Sequence, residues 1–337
     1  MAEAGGRGLV CHPMSVPLGY GSSGLGNLYE NVPDAVADAT LQAAWDVGYR
    51  YFDTSPFYGF GLSELRIGRF LRTLPRDAFI LSTKVGRYMA PLRGAPFSRM
   101  HWSAPLELKP VFDYCYDGVM RSIEQSIVRL GFECIDILFI HDVDRWTHGQ
   151  EFPRLFAAAM EGAYRALDEL RRHGYVKAIG FGVNEADIAA DFLRAGAFDC
   201  ALLAGRYTLL DQRALDDFLP LAQSRSVDVF VGGVFNSGVL AAPTLRGVTY
   251  DYAAASDEIL KRARRIADVC GEFGVPLPAA AIHFSRSHPA VKTVLLGMNT
   301  PDQFRQNFDW FSMRIPSALW TRLKDQGLIR KDAPTGE

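Results

Sequence analysis

Tyr51-Phe52-Asp53-Thr54-Ser55-Pro56-Phe57-Tyr58-Gly59 opens as a strand of aromatic and polar residues, and Pro56 breaks it into a loop. Asp53 is therefore expected near the strand's carboxyl end, with Tyr58 a few residues out on the loop. Two further runs share this design. Phe79-Ile80-Leu81-Ser82-Thr83-Lys84-Val85 sets a lysine among apolar neighbours, and Cys134-Ile135-Asp136-Ile137-Leu138-Phe139-Ile140-His141 ends an apolar strand on a histidine. If the three strands are parallel neighbours, Asp53, Tyr58, Lys84 and His141 converge at one rim.

Working outward, the chain alternates strand and helix throughout. Strands are predicted near residues 16, 50, 80, 135, 177, 200, 228 and 292, each with a helix after it. The predicted helices include 34–47 (Asp34 as its cap), 63–74 (ended by Pro75), 114–130, 156–172, 257–273 and 300–311. Such alternation means a parallel sheet covered by helices, and eight units close a (β/α)8 barrel of the TIM type. The α/β reading is thus one barrel domain over 1–337, with an additional C-terminal helix at 316–328 and a long irregular insertion at about 87–110. A doubly wound open sheet is the alternative. Gly19-Tyr20-Gly21-Ser22-Ser23-Gly24 matches the dinucleotide-binding letters, but the run continues through Gly26 before any helix, which argues against it.

The bulk composition narrows the function. Of 337 residues, 48% are hydrophobic and 22% charged, the balance of a globular enzyme, and the formal net charge of −2 advertises no attraction to nucleic acid or membrane. The five cysteines are widely spaced and form no Cys-x-x-Cys pair, which fits a reducing compartment; Cys134 and Cys200 read as small buried hydrophobes. No secretory leader or long apolar run is present, so the expected location is cytoplasmic. The expected partner is a small-molecule substrate, and the expected assembly a monomer or weak homo-oligomer.

Strand-end residues of a barrel face the active-site mouth. A buried ammonium needs a counter-charge, and Asp53 on the preceding strand supplies one for Lys84. A structural ion pair would explain those two alone. The functional reading adds Tyr58, whose phenol at about 10 is too high to exchange protons easily at neutral pH. A lysine in reach would lower it and make a general acid–base, held by the aspartate. His141 then donates a hydrogen bond to a substrate oxygen.

Asp53-Thr54-Ser55-x-x-Tyr58-Gly59 with Ser63-Glu64, Thr83-Lys84 and Ile140-His141-Asp142 resembles the aldo-keto reductase superfamily, and the likeness runs over essentially the whole chain. Thr83-Lys84-Val85-Gly86-Arg87-Tyr88, Gly205-Arg206-Tyr207 and Gly233-Val234-Phe235-Asn236-Ser237-Gly238 are similar to its aldose 1-dehydrogenases of the D-threo-aldose (L-fucose) type and to its pyridoxal 4-dehydrogenases. The resemblance implies a nicotinamide nucleotide across the barrel mouth and a tetrad of Asp53, Tyr58, Lys84 and His141, with Tyr58 as proton carrier. It implies Asn184 on the nicotinamide carboxamide, and cofactor contacts from Gly233, Val234, Phe235, Asn236, Gly238, Gly297, Met298, Asn299, Gln303, Gln306 and Asn307. It departs from the family pattern at Val183, Ala204 and Gly232, where a serine, a glutamine and a stacking aromatic are usual.

Where NADP-dependent members carry cations for the 2′-phosphate, this chain has Gly297, Met298 and Gln303, so NAD is expected over NADP, with NADP possible. The reaction so implied is oxidation of a free aldose at its anomeric carbon to the lactone, without a metal. The alternatives are oxidation of pyridoxal hemiacetal to 4-pyridoxolactone and a nucleotide-binding redox sensor. Tyr20, Phe57, Tyr88, Met89, Arg145 and Trp146 are the expected substrate contacts.

Overall fold

The computed structural model describes residues 16–94, 96–242, 249–251 and 253–336. Residues 1–15, which include Cys11, lie outside them. Twelve strands occur among the described residues: β1 Leu18–Gly21, β2 Tyr51–Asp53, β3 Ile80–Val85, β4 Arg87–Pro91, β5 Leu108–Phe112, β6 Ile137–His141, β7 Ala178–Val183, β8 Cys200–Ala204, β9 Asp228–Gly232, β10 Thr249–Tyr250, β11 Ala253–Ala254 and β12 Val291–Leu296. Eight of them close a barrel in the order β1-β12-β9-β8-β7-β6-β3-β2, and every pair in it is parallel. The open-sheet alternative is thereby excluded.

Helices cover the outside: α1 Asp34–Asp46, α2 Leu62–Leu71, α3 Tyr116–Leu130, α4 Arg145–His148, α5 Phe152–Ala158, α6 Arg165–Arg172, α7 Ala186–Ala195, α8 Phe218–Ser224, α9 Asp257–Glu272, α10 Leu277–Ser285, α11 Pro301–Ser312 and α12 Ser317–Asp325. The strands read as nearly continuous apolar runs because both faces are buried. In β6, Leu138 and Ile140 pack outward under the helices, while Ile137 and Phe139 fill the barrel interior with Tyr51, Leu202 and Phe230.

Several expectations change. The insertion is irregular only in its middle: its ends, β4 and β5, pair antiparallel from Arg87↔Phe112 to Pro91↔Leu108, a hairpin standing on the barrel mouth, while the described residues between them form no strand or helix. Its prolines and aromatics masked the strand alternation. Asp34 is the first residue of α1 rather than its cap, a place taken by Pro33; its carboxylate holds Arg66 at 2.7 Å. The helix predicted from 156 starts at Phe152 and reaches Arg172 through a π-helical turn at Ala159–Tyr164. Cys200 is buried, but Cys134 is exposed, because it precedes β6 in a surface turn. No helix of the described residues is long and apolar enough to cross a membrane.

Candidate active site

Successive strand side chains alternate between faces, so parity decides which residues look along the barrel axis. Counting by twos from the interior residues Tyr51, Ile80, Phe139, Ala178, Leu202 and Phe230 brings Asp53, Ser82, Lys84 and His141 inward on one side of the mouth. The same count brings Gly182, Ala204 and Gly232 inward on the other. The register sets Asp53 beside Ser82 and Lys84 beside Phe139, which stacks the polar groups in adjacent layers.

Lys84 is 1% exposed, and its Nζ donates to Asp53 Oδ2 at 2.6 Å and to the Thr54 carbonyl at 2.8 Å. Ser82 Oγ donates to the other carboxylate oxygen at 2.7 Å. The buried charges are thus paired and hydrogen-bonded, the condition under which burial is tolerated. Tyr58 lies on a short turn in which Gly59, Phe60 and Gly61 all have positive φ (62°, 57° and 104°). That unusual run faces the ring inward, 4.6 Å from Lys84 Nζ and 6.1 Å from the His141 ring.

The expected coupling of Lys84 to the phenol differs in detail. Lys84 meets the face of the Tyr58 ring, and no hydrogen bond among the described residues joins its Nζ to the hydroxyl. Burial, with Asp53 and Asp142 nearby, holds the phenol well above its ordinary value, and the cation that opposes this is Arg87. The cofactor-free phenol is accordingly protonated at neutral pH.

His141 Nδ1 lies 3.2 Å from Ser55 Oγ and 3.1 Å from an Arg87 nitrogen. Burial, reinforced by Arg87 and Lys84, pushes this imidazole well below its ordinary value, so the ring is neutral. Arg87 sits between the rings of Phe57 and Phe112, 4.3 and 4.2 Å from their centroids, and donates to Asp142 at 2.8 Å. Asn184 Nδ2 donates to Asp142 Oδ1 at 3.2 Å and Asp144 Oδ2 at 3.0 Å. Because carboxylates only accept, these bonds orient the amide, and its Oδ1 makes no hydrogen bond among the described residues.

The residues present fit a nicotinamide nucleotide. On the side of the mouth away from the polar residues, Gly232 carries no side chain, and a Cβ added there would meet its nearest neighbour at an unstrained 3.7 Å, so a ligand can approach the backbone closely. Gly21, beside Asp53, is similarly open with its nearest contact at 3.8 Å. Asn236 is buried with Nδ2 donating to the Gly205 carbonyl, while its Oδ1 has no partner among the described residues. A buried orphan acceptor calls for a donor. Val234 is buried, Phe235 and Gly238 are half-buried and Gly233 is exposed along the same loop.

Other sequence expectations fare unevenly. Gly297 is exposed beside α11, and Gln306 is exposed on that helix while Asn307 is buried. Gln303 Oε1 accepts from the Asn299 and Thr300 backbone as part of the α11 capping box, so it serves the helix end. Met298 is buried against Tyr49, pointing into the core. Asn299 Nδ2 donates to Glu30 at 2.6 Å.

Among the substrate candidates, Phe57 is at the site, 5.5 Å from Trp102. Trp146 is 44% exposed, with the Arg206 guanidinium 5.0 Å over its ring and Arg206 Nε on the Asn184 carbonyl. Tyr20 is not there: it is fully buried, donates to the Met298 carbonyl and packs on Phe304. Alternation along β4 turns Arg87 and Met89 one way and Tyr88 the other, so Tyr88 meets Arg121 of α3 instead. Met89 is buried against Phe60 and Trp102. Arg145 is tied to Glu185 and Asp187.

Sequence reading missed Arg87, Phe112, Asp142 and Trp102 as site residues. Trp102 lies 5.9 Å from Tyr58. The available signal was a charged residue, Arg87, three positions past Lys84 in an otherwise apolar stretch; the hairpin that aims it was not legible.

The chain belongs to the aldo/keto reductase family, whose model matches residues 17–326. It is an oxidoreductase that acts on CH–OH groups, and its family uses a nicotinamide cofactor. It is 47% identical to a pyridoxal 4-dehydrogenase from Microbacterium luteolum, covering 93% of this chain and 94% of the relative. It is 39% identical to a D-threo-aldose 1-dehydrogenase from a Pseudomonas species, covering 94% and 95%. Among solved structures, an aldo-keto reductase from Bacillus halodurans in its holo form superposes with a TM-score of 0.71 at 21% identity, covering 95% of this chain and 93% of that one, a likeness of fold.

Proposed function

We propose that the protein oxidises a cyclic hemiacetal at its anomeric carbon to the lactone, using NAD. The observation that carries this reading is the convergence of Asp53, Lys84, Tyr58 and His141 at one end of the barrel. Tyr58 is protonated in the free protein, so to act as base it must first release its proton to solvent, helped by Lys84 and by the positive charge of an oxidised nicotinamide nucleotide. The phenolate then takes the proton of the anomeric hydroxyl, and His141 donates a hydrogen bond to the same oxygen and fixes its direction. Lys84, held by Asp53, keeps a positive charge beneath the phenol ring. Asn184 Oδ1 and Asn236 Oδ1 receive donors of the nucleotide. The nicotinamide, when bound, supplies the hydride acceptor.

The lining favours pyridoxal hemiacetal. Phe57, Trp102 and Phe112 stand around Tyr58 and Arg87, and Trp146 is exposed over Arg206. Aromatic walls suit a flat ring through offset or edge contacts, whereas a sugar needs several polar partners. The more similar of the two relatives described also acts on pyridoxal. The free aldose stays the second reading, supported by the aldose dehydrogenase relative.

For the nucleotide, Gly297, Met298 and Gln303 offer no cation, and Arg305 is bonded to Asp302 at 2.8 Å. Glu30, held by Asn299, adds a negative charge beside this loop, which would repel a 2′-phosphate. NADH formation measured with pyridoxal, L-fucose, D-arabinose and L-galactose, each with NAD and with NADP, tests the reading. Pyridoxal with NAD should give the highest kcat/KM; tight nucleotide binding with no turnover on any of them would point to a redox sensor instead.

A further inference from the structure

Arg87 is a buried cation beside the reacting groups, and the acid–base chemistry proposed above does not use it. It is 4% exposed and clamped between Phe57 and Phe112. Its own carbonyl accepts from Ser122 Oγ at 2.7 Å, which ties β4 to α3. One terminal nitrogen faces His141 Nδ1 at 3.1 Å and the other donates to Asp142 at 2.8 Å.

A guanidinium has no lone pair to offer, so His141 Nδ1 must be the acceptor in that contact. Ser55 agrees. Its Oγ accepts from the Phe57 amide at 3.1 Å, which leaves the hydroxyl proton free to donate to the same Nδ1 at 3.2 Å. The other ring nitrogen, Nε2, lies 3.4 Å from Asp142 Oδ1, which can only accept. Arg87, which can only donate, therefore demands the tautomer with the proton on Nε2; the Ser55 hydroxyl, able to donate or accept, and the Asp142 carboxylate near Nε2 both accommodate it.

We infer that Arg87 is the positioning residue for His141: it fixes the imidazole with a bare Nδ1 and an Nε2–H presented to the substrate oxygen. The same guanidinium bonds Asp142 Oδ2 while Asn184 bonds Oδ1, and the 3.4 Å approach of Oδ1 to Nε2 is not a hydrogen bond, so the Nε2 proton stays available to a substrate oxygen. Arg87 thus couples the proton-donating side of the mouth to the amide that would face the nicotinamide. A lysine is a single point donor and cannot hold both partners in the fixed fork geometry. The role of Nε2–H toward substrate rests on the function proposed above; the tautomer itself does not.

Histidine ring nitrogen NMR on the full chain, with and without NAD, tests this. The His141 signals are assigned by their loss in His141→Asn. Wild type should show a pyridine-like Nδ1 and a pyrrole-like Nε2. Arg87→Met combined with Ser55→Ala should give mixed tautomers, and Arg87→Met alone should lower kcat about 10- to 100-fold with the dissociation constant for NAD changed less than about threefold. Arg87→Lys should keep the wild-type tautomer with an intermediate kcat, and it serves if the double variant does not fold. A wild-type His141 protonated on Nδ1, or a double variant with an unchanged spectrum, would overturn the inference. If the tautomer shifts as stated while wild type oxidises none of the four substrates, the positioning stands and the proposed function falls.

Discussion

Gly26 and Gly59 pass backbone against backbone: a Cβ on Gly59 would lie 2.5 Å from the Gly26 carbonyl oxygen, and one on Gly26 would lie 2.5 Å from the Tyr58 carbonyl carbon. The loop after β1 therefore forms the seat of the turn that presents Tyr58, and no side chain fits between them. Gly59 also has a φ of 62°, where an added Cβ is strained whatever the space. Gly59→Ala should displace the phenol, lowering kcat by about 100-fold, since a misplacement of about 1 Å can have that effect. Steady-state kinetics with a thermal melt would check it. Full activity in a stable Gly59→Ala protein would remove the seat from the argument.

The Lys84–Asp53 pair makes opposite predictions for single and double changes. Lys84→Met alone leaves a buried carboxylate uncompensated and should cost about 3–5 kcal/mol of stability. Adding Asp53→Leu removes the orphan charge and should restore much of that loss, although Ser82 Oγ then loses an acceptor. Activity should stay absent in both. Denaturant melts read the first part and NADH formation the second. If the double variant regains turnover, the pair is structural only.

Tyr58→Phe should abolish hydride transfer, by about 10²–10⁴-fold, with nucleotide binding nearly unchanged. Because burial and the nearby carboxylates hold the phenol well above its ordinary value, no phenolate from Tyr58 should form up to about pH 10 in the nucleotide-free protein. Ultraviolet difference titration of wild type against Tyr58→Phe measures this. A phenolate signal near neutrality would contradict the electrostatics described.

Stability should fall on the acid side. His141, His148, His283 and His288 are all depressed below the ordinary 6.5, each chiefly by burial. Below that value the unfolded chain binds protons that the folded protein refuses, so stability is present above about 6.5 and is lost as pH falls toward the folded values. Melting temperatures from pH 8 down to 5 should decline below about 6.5. The decline should be shallower in His141→Asn, and an equal slope in the two would show that His141 is not buried neutral.

Glu30→Gln should raise NADP use relative to NAD, and Glu30→Lys should raise it further, by about tenfold for each 1.4 kcal/mol of altered phosphate interaction. The ratio of kcat/KM for the two nucleotides is the measure. An unchanged ratio would place the discriminating contact elsewhere on the loop before α11.

Much of the fold and the core of the site were legible because they depend on local patterns. The strand-then-helix alternation and the strand ends at Asp53, Lys84 and His141 were set by short-range composition, and the parity that turns them inward follows from a two-residue repeat. The hairpin at Arg87–Pro91 and Leu108–Phe112 was not legible, because its pairing spans about twenty residues of proline-rich chain. Tyr20 and Tyr88 were misplaced for a related reason. Each is an aromatic near the mouth in sequence, but one turns into the core under α11 and the other onto Arg121.

The sequence by itself determined an eight-stranded parallel barrel and which four groups would stand at its carboxyl end, since strand period and strand ends are local properties. Only the tertiary structure decided that Arg87 reaches His141 and Asp142, and that Lys84 meets the face of Tyr58 while its hydrogen bonds go to Asp53 and Thr54. Those choices depend on register, on two glycine backbones in contact and on a hairpin folding over the mouth. No local propensity encodes contacts made between segments that are remote in the chain.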